Sequence, residues 1–199
     1  MTTITVEALE RRVVEESFVD FLDFCYVEEP GKGAVRYEKW PHLLALAGLL
    51  LVWRLLAWLK ARQIGATWLV AAYVLWKAMY HPSEVILLLS KRETDAKVFL
   101  KKCVFIYQNL PAHLRVQMED TTQELRFPQG NSRILAMPSS PETGRSETVT
   151  VVVVDEADFQ PYFDVNYAAL KPTIDAGGQM ILLSTSNPYS QDSKFKELY

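Results

Sequence analysis

The feature that most constrains this 199-residue chain is a series of short, continuous apolar runs that alternate with segments of helical periodicity. Apolar strands separated by helices are typical of a parallel sheet that is covered on both faces. The runs predict buried strands at 55–59, 85–89, 149–154 and 180–183. The segments between them predict helices at 67–80, 94–108 and 162–170. We therefore expect an α/β protein.

Smaller elements are predicted around this sheet. The turn signal at 128–131 lies between apolar segments at 123–127 and 133–137, which favours a hairpin. Residues 7–26 show mixed helical periodicity, and Pro41 is suited to the first turn of a helix that continues to Val52.

Length and composition restrict the class of protein. With 49% hydrophobic and 23% charged residues, the chain can form a large core and is not a disordered polymer. Its formal net charge of −3 excludes a globally basic nucleic-acid binder, so any contact with DNA must come from local patches. We expect one domain over 1–199, with a helical N-terminal extension and loop at 1–36 and the core at 37–199.

The apolar segment 43–59 resembles a membrane span in composition. It falls short of the ~18 apolar residues that a spanning helix needs, and Arg54 would lie deep in lipid. We interpret it as a buried helix followed by a buried strand and expect no membrane association. The N-terminus lacks the features of a signal peptide, and Cys25 and Cys103 lack metal-ligand spacing, which favours reduced thiols in a cytosol.

Polar side chains follow each of the four predicted strands. In open parallel sheets, ligands bind beyond the carboxyl ends of the strands. Side chains that follow different strands are therefore expected to meet at one edge and form a site. The segments are 60–67, 90–93, 155–158 and 184–188.

The first of these segments has the length of a phosphate-binding loop and reads Lys60-Ala61-Arg62-Gln63-Ile64-Gly65-Ala66-Thr67. The usual pattern, G-x-x-x-x-G-K-[ST], supplies backbone amides and a lysine to the phosphates and a hydroxyl to magnesium. Gly65 and Thr67 match this pattern, whereas Lys60 occupies the first glycine position and Ala66 the lysine position. Such a partial match also arises by chance, but its position between a strand and a helix favours a nucleotide site. Lys60 or Arg62 would then supply the missing charge.

A pair of carboxylates follows the third predicted strand. Asp155 at this strand end is suited to hold Mg²⁺, and Glu156 then faces the position of a water that attacks the γ-phosphate. The alternative is a capping pair at the start of the next helix, where an anion is also favourable. With the phosphate loop present, chemistry is the preferred interpretation.

Together these motifs resemble the ATPase domain of the terminase large subunit, the DNA-packaging motor of tailed bacteriophages, over about residues 37–199. In that family the phosphate loop often reads R-Q-x-G-x-T/S with a basic residue at its start, which is similar to 62–67 together with Lys60. Residues 137–146 are similar to the family's arginine-bearing loop, and 184–188 to its coupling motif. The resemblance implies a P-loop NTPase fold of the ASCE (RecA-like) type, a three-layer sandwich with a mainly parallel central sheet.

The resemblance also implies ligands and roles. ATP and Mg²⁺ are the expected cofactors: Lys60 and the amides of the 60–67 loop would bind the phosphates, Thr67 and Asp155 the metal, and Glu156 would position the water. Arg145 resembles an arginine finger, which acts on its own or a neighbouring subunit's nucleotide, although a solvated loop arginine is an equal alternative. The coupling residues would sense loss of the γ-phosphate, unless the segment is a plain turn; they are Ser184, Thr185, Ser186 and Asn187.

Contacts to the base and to DNA have weaker signals. The family often has a glutamine upstream of the phosphate loop. Here Trp40 would stack on the base and His42 occupies the glutamine's neighbourhood, although a buried cap histidine is the preferred interpretation of His42. A translocating motor contacts the DNA backbone through basic side chains, unless these are a solvated face. The candidates are Lys91, Arg92, Lys97 and Lys101, followed by Lys102.

The family resemblance implies further partners and a location. These are double-stranded DNA, a homo-oligomeric ring of five copies, the portal protein and the small terminase subunit, in the host cytoplasm and transiently on the procapsid. The family carries a nuclease domain after the ATPase domain, and we expect no nuclease activity from a chain that stops at Tyr199.

Two other functions fit parts of the sequence. Residues 155–158 spell the DEAD signature of superfamily-two helicases, but the loop lacks the usual lysine and a second RecA-like domain does not fit into 199 residues. A non-catalytic nucleotide-binding assembly subunit would explain Ala66 as the mark of a decayed site.

Overall fold

The computed structural model describes residues 5–143, 148–190 and 192–199. In chain order the strands are β1 (Tyr26–Glu29), β2 (Gly33–Arg36), β3 (Leu55–Leu59), β4 (Val85–Ser90), β5 (Glu119–Asp120), β6 (Glu124–Phe127), β7 (Ser132–Pro138), β8 (Val151–Asp155) and β9 (Gln179–Ser184). The α-helices are α1 (Val6–Glu16), α2 (Phe18–Phe21), α3 (Pro41–Val52), α4 (Ala66–Tyr80), α5 (Glu93–Asn109), α6 (Phe163–Asp175) and α7 (Lys194–Leu198).

Seven of the strands form one sheet in the order β3-β9-β8-β4-β7-β6-β5. The first five are parallel, and β6 and β5 add an antiparallel edge. The mainly parallel sheet and the predicted hairpin are therefore confirmed. Because β9 lies between β3 and β8, the segments that follow these three strands start side by side.

Both faces of the sheet are covered, because alternate residues of each strand enter different cores. Ile86 and Leu88 of β4 pack with α3, α4, α5 and the N-terminal helices, whereas Leu87 and Leu89 pack with α6 and α7. Strands that are buried on both faces read as continuous apolar runs. The result is the predicted three-layer arrangement.

The N-terminal region differs from the sequence prediction. The helical periodicity of 7–26 is interrupted at Ser17, whose extended backbone ends α1 and whose hydroxyl accepts a hydrogen bond from the Asp20 amide to cap α2. The loop expected at 30–33 is the turn of the β1–β2 hairpin, whose strands were not predicted, and Gly31 and Gly33 have positive φ angles there. Val13, an apolar residue of this periodic segment, is half exposed.

Three further elements depart from the prediction. Helix α6 continues beyond residue 170 and includes Pro172, and both β5 and α7 are short elements without a clear local pattern. The segment 43–59 forms α3 and then β3, as expected. Among the described helices, none has both the length and the apolar character that crossing a membrane requires.

Candidate active site

The three adjacent strands β3, β9 and β8 bring the predicted loop, coupling segment and acidic pair together. The Lys60 amide donates to the Ser184 carbonyl at 2.8 Å, and Asp155 pairs with Leu183 across the sheet. Lys60 is the first residue after β3, and Asp155 is the last residue of β8. Backbone pairing alone therefore places all three segments at the end of the sheet where the parallel strands have their carboxyl ends.

An ion cluster occupies this end of the sheet. The Lys60 Nζ lies 2.9 Å from Glu156 Oε1 and 3.7 Å from Asp155 Oδ1, and the Lys60 side chain is only 8% exposed. A buried ammonium group is costly unless anions lie close to it. Of the two cations predicted to compensate for Ala66, Lys60 therefore lies in this cluster, whereas Arg62 is exposed.

Glu156 is held from both sides and in an uncommon backbone conformation. Its Oε2 accepts hydrogen bonds from the amide and the hydroxyl of Thr185, both at 3.0 Å, and its φ of +50° is in the left-handed region. Burial raises the pKa of this carboxyl, but the hydrogen bonds from Lys60 and Thr185 outweigh burial and lower the pKa below its ordinary value. The side chain is therefore anionic and oriented at neutral pH.

The pKa of Asp155 is shifted in the opposite direction, above its ordinary value. Burial raises its pKa, the charge of Glu156 adds to the increase, and the attraction of Lys60 acts against it. Its Oδ1 is buried and has no hydrogen-bond partner among the described residues. A buried carboxylate oxygen without a donor is costly, and a hard cation would satisfy it.

The side chains fit Mg²⁺ with ATP. Magnesium in nucleotide sites is commonly held by one or two protein oxygens together with phosphates. The orphaned Asp155 oxygen and the hydroxyl of Thr67, in the first turn of α4, supply oxygens of this kind. The described residues contain no group of three or more His, Cys, Asp or Glu side chains that could hold a metal by themselves.

The loop has the backbone shape that a phosphate site needs. Gln63 and Gly65 have φ angles of +59° and +80°, and Gly65 is the N-cap of α4. The positive φ at Gly65 favours glycine, and a Cβ there would lie only 3.1 Å from Leu43 Cδ1, so a larger residue would also have to displace that side chain. The N-terminus of α4, which favours an anion, begins at Ala66 within the loop.

The two aromatic residues predicted for the base lie beside the loop. His42 Nε2 is 3.2 Å from the Ile64 carbonyl oxygen, and the Trp40 and His42 rings are 5.6 Å apart. Both residues are exposed, so the alternative of a buried cap histidine is wrong. Trp40 is 45% exposed and presents an accessible ring close to the phosphate loop.

The predicted DNA contacts are less uniform. Lys91, Arg92 and Lys101 are exposed, whereas Lys97 is paired with Glu93 at 2.7 Å. Lys97, Lys101 and Lys102 line one open cleft of about 900 Å³ beside α5. Lys102 lies 5.3 Å from the Trp68 ring centroid, and burial lowers its pKa.

Sequence reasoning missed the role of Asp158 in the local structure. Its buried carboxylate holds Asn187 and Ser193, and its backbone amide donates to Ser184 Oγ at 3.0 Å. The sequence shows an acidic residue two positions after Glu156, as the last letter of the DEAD pattern. Nothing in that pattern indicates which residues Asp158 binds. Arg145 lies outside the described residues.

A family model and solved structures match this chain. The model described as "Terminase large subunit, T4likevirus-type, N-terminal" matches residues 58–199, more than half of the chain. This chain belongs to the terminase large subunit family. The membership confirms the sequence resemblance and decides against the helicase alternative.

Two solved structures give the fold of this terminase domain. The ATPase domain of the Thermus phage P74-26 large terminase has a TM-score of 0.67 and 17% identity, with coverage of 81% of this chain and 69% of that chain. The HK97 bacteriophage large terminase has a TM-score of 0.66 and 18% identity, with coverage of 86% of this chain. The match spans only 38% of the HK97 chain. The likeness confirms the P-loop ASCE fold.

Proposed function

We propose that this terminase domain binds ATP with Mg²⁺ at the carboxyl end of its sheet and hydrolyses it to drive double-stranded DNA into a procapsid. The observation that carries the proposal is the convergence of Lys60, Asp155 and Glu156 beside a glycine-containing loop at a helix N-terminus. A buried lysine between two carboxylates is suited to exchange an anionic partner for the phosphates of a nucleotide.

The residues then act in sequence. Lys60 moves from Glu156 to the phosphates, together with the amides of residues 61–67. Asp155 and Thr67 hold the metal, which when bound neutralises charge on the phosphate oxygens. Glu156, released from Lys60, orients the attacking water and accepts its proton.

The remaining predicted residues complete the proposal. Trp40 stacks on the base and His42 lies at its edge, and Arg145 stabilises the charge on the γ-phosphate oxygens as an arginine finger. The coupling segment 184–187 responds to loss of the γ-phosphate, because Thr185 already binds the carboxylate of Glu156.

The cleft along α5 supports a contact with the DNA backbone. Lys101 and Lys102 lie there with Lys97, and Glu28 and Asp120 limit the net positive charge of the same cleft. A few phosphate contacts give weak, salt-dependent binding. We therefore propose that several copies are needed to hold the duplex. The family resemblance suggests that they form a ring of five, docked on a portal protein in the host cytoplasm with a small terminase subunit.

The test is an ATPase assay of this chain with and without double-stranded DNA, over a range of protein concentrations and with Mg²⁺ or EDTA. We expect Mg²⁺-dependent hydrolysis that increases with DNA and rises more than linearly with protein concentration. ATP binding without hydrolysis at any protein concentration would favour the non-catalytic assembly subunit. Hydrolysis that is independent of DNA would contradict the motor.

Arg145 has a separate test that distinguishes action within one subunit from action between subunits. An Arg145→Ala protein and a Glu156→Gln protein are each expected to be inactive. If Arg145 acts on a neighbour, mixing the two restores part of the hydrolysis, because some interfaces combine an intact arginine with an intact glutamate. A mixture shown to assemble but still inactive would contradict action between subunits.

A further inference from the structure

Asp158 is a fully buried carboxylate that holds the same segment as Glu156. Its Oδ2 accepts a hydrogen bond from the Asn187 amide at 2.7 Å, and its carbonyl oxygen accepts one from Asn187 Nδ2 at 3.1 Å. The Asp158 amide donates to Ser184 Oγ at 3.0 Å. Glu156 binds Thr185, so two carboxylates two residues apart hold adjacent parts of one strand end.

The same carboxylate extends the connection to α7. Ser193, the N-cap of α7, donates its hydroxyl to Asp158 Oδ1. Lys196 Nζ lies 3.7 Å from Asp158 Oδ2 and donates to the Asn187 carbonyl at 2.8 Å. Phe195 of the same helix is buried in the core under α6.

We infer that Asp158 is a positioning residue that links the state of Glu156 to α7 through the segment 184–187. The inference rests on the proposed function. Lys60 binds Oε1 of Glu156 and Thr185 binds Oε2, so a rotation of the carboxylate from Lys60 towards the attacking water also shifts the oxygen that Thr185 holds. Asp158 holds Asn187, Ser193 and Lys196 together. A displacement of Thr185 therefore moves these residues and α7 together, because they form one hydrogen-bonded group.

A purely structural role would need less than this arrangement. A cap for α7 requires only that the Ser193 hydroxyl oxygen accept from the Lys196 amide, which it does at 3.3 Å without Asp158, and a turn after β9 requires only the Asn187 side chain. Here one buried carboxylate serves the strand end and the helix at once, next to the residue proposed to contact the water. Charged hydrogen bonds in a buried position are among the stronger and more directional ones.

The experiment follows α7 directly in the 199-residue chain. Cys25 and Cys103 are fully buried, so a cysteine introduced at the exposed Tyr199 can be labelled selectively with an environment-sensitive dye. Dye emission is compared in the Mg²⁺ complexes of ADP and of the non-hydrolysable analogue AMP-PNP. Hydrolysis is measured in the same labelled protein. The variant is Asp158→Asn, and the matched control is Asp175→Asn, an exposed carboxylate paired with Lys171 at the end of α6.

We expect the two nucleotides to give different emission in the parent protein and in the Asp175→Asn control. In Asp158→Asn the difference is lost, kcat falls about 10- to 100-fold and KM changes little, because nucleotide binding is intact and only the orientation is impaired. An Asp158→Asn protein with lower stability but the parent's kcat and emission difference would overturn the inference.

Two further outcomes keep the inference separate from the proposed function. A parent protein that hydrolyses ATP but gives equal emission with both nucleotides overturns the inference and leaves the proposed function intact. A parent that binds no ATP overturns both. If Asp158→Asn does not fold, Lys196→Met breaks the connection from the helix side, and retention of the full emission difference there counts against the inference.

Discussion

Two partly buried lysine–glutamate pairs lie at opposite ends of the parallel strands. Lys60 and Glu156 form one at the carboxyl end, and Lys77 and Glu84 form the other at the amino end, each with a 2.9 Å contact. The distances are equal, but their surroundings differ.

At the amino end of the strands, both oxygens of Glu84 have partners, since Oε1 binds Lys77 and Oε2 accepts from the Thr150 hydroxyl. At the carboxyl end of the strands, Asp155 Oδ1 has no hydrogen-bond donor among the described residues, its nearest cation being Lys60 at 3.7 Å, and Glu156 has a left-handed backbone. An ion pair by itself therefore does not mark a site. The site is marked by the Asp155 oxygen without a hydrogen-bond donor and by the left-handed backbone of Glu156 next to it. Both cost free energy, and a purely structural role does not account for either cost.

The largest expected effect comes from Glu156→Gln. The amide cannot accept a proton from water, so turnover should fall about 10²- to 10⁴-fold while ATP binding remains. Steady-state hydrolysis and equilibrium binding of ATP measure the two quantities. Glu84→Gln is the matched control and should keep its turnover per folded molecule. Equal losses of turnover in both variants would contradict the assignment of the active site to the Glu156 pair alone.

The next effect is that of Lys60→Ala. Without the ammonium group near the phosphates, turnover should fall about 10²- to 10³-fold. Lys77→Ala, measured at matched folded fraction, should remain active. Full activity of Lys60→Ala would indicate that Arg62 supplies the cation. Loss of that activity in the double variant Lys60→Ala, Arg62→Ala would prove it.

For the free energy of unfolding we expect the reverse order, with a larger loss on removal of Lys77 than on removal of Lys60. Lys77→Met leaves Glu84, whose side chain is 12% exposed, without its cation, and should lower the free energy of unfolding by about 3 kcal/mol. Lys60→Met should cost less, because Glu156 is 38% exposed and keeps both bonds to Thr185. Urea denaturation of the two variants measures the difference, and an equal or larger loss for Lys60→Met would contradict it.

The smallest effect concerns pH. Because the pKa of Asp155 is raised in the folded protein, its ionisation opposes folding as pH rises from the unfolded-state value through the folded one. Asp155→Asn should therefore unfold at a higher temperature than the parent at pH 7, and this advantage should vanish in acid. Glu156 has a lowered pKa and contributes stability that is lost as pH falls, so Glu156→Gln should have the opposite sign. Thermal unfolding from pH 4 to 8 checks both signs.

Local sequence predicted much of the fold and some of the candidate site. The apolar runs marked the parallel strands, and the loop and the acidic pair were recognisable because their spacing is local. The exposure of His42 and the partners of Asp158 were not predictable in this way. Asp158 meets Ser193 across 35 residues, and no local pattern encodes such a pairing. Helix α7 was missed because five residues are too few to show periodicity.

By itself the sequence determined which segments become strands and helices and which polar residues follow each strand, because both depend on neighbouring residues. The tertiary structure alone decided that β9 lies between β3 and β8, which brings Lys60 to Glu156 across 96 residues. Strand order depends on how whole apolar faces pack together. That packing also buries Lys60 among carboxylates and leaves one oxygen of Asp155 without a donor.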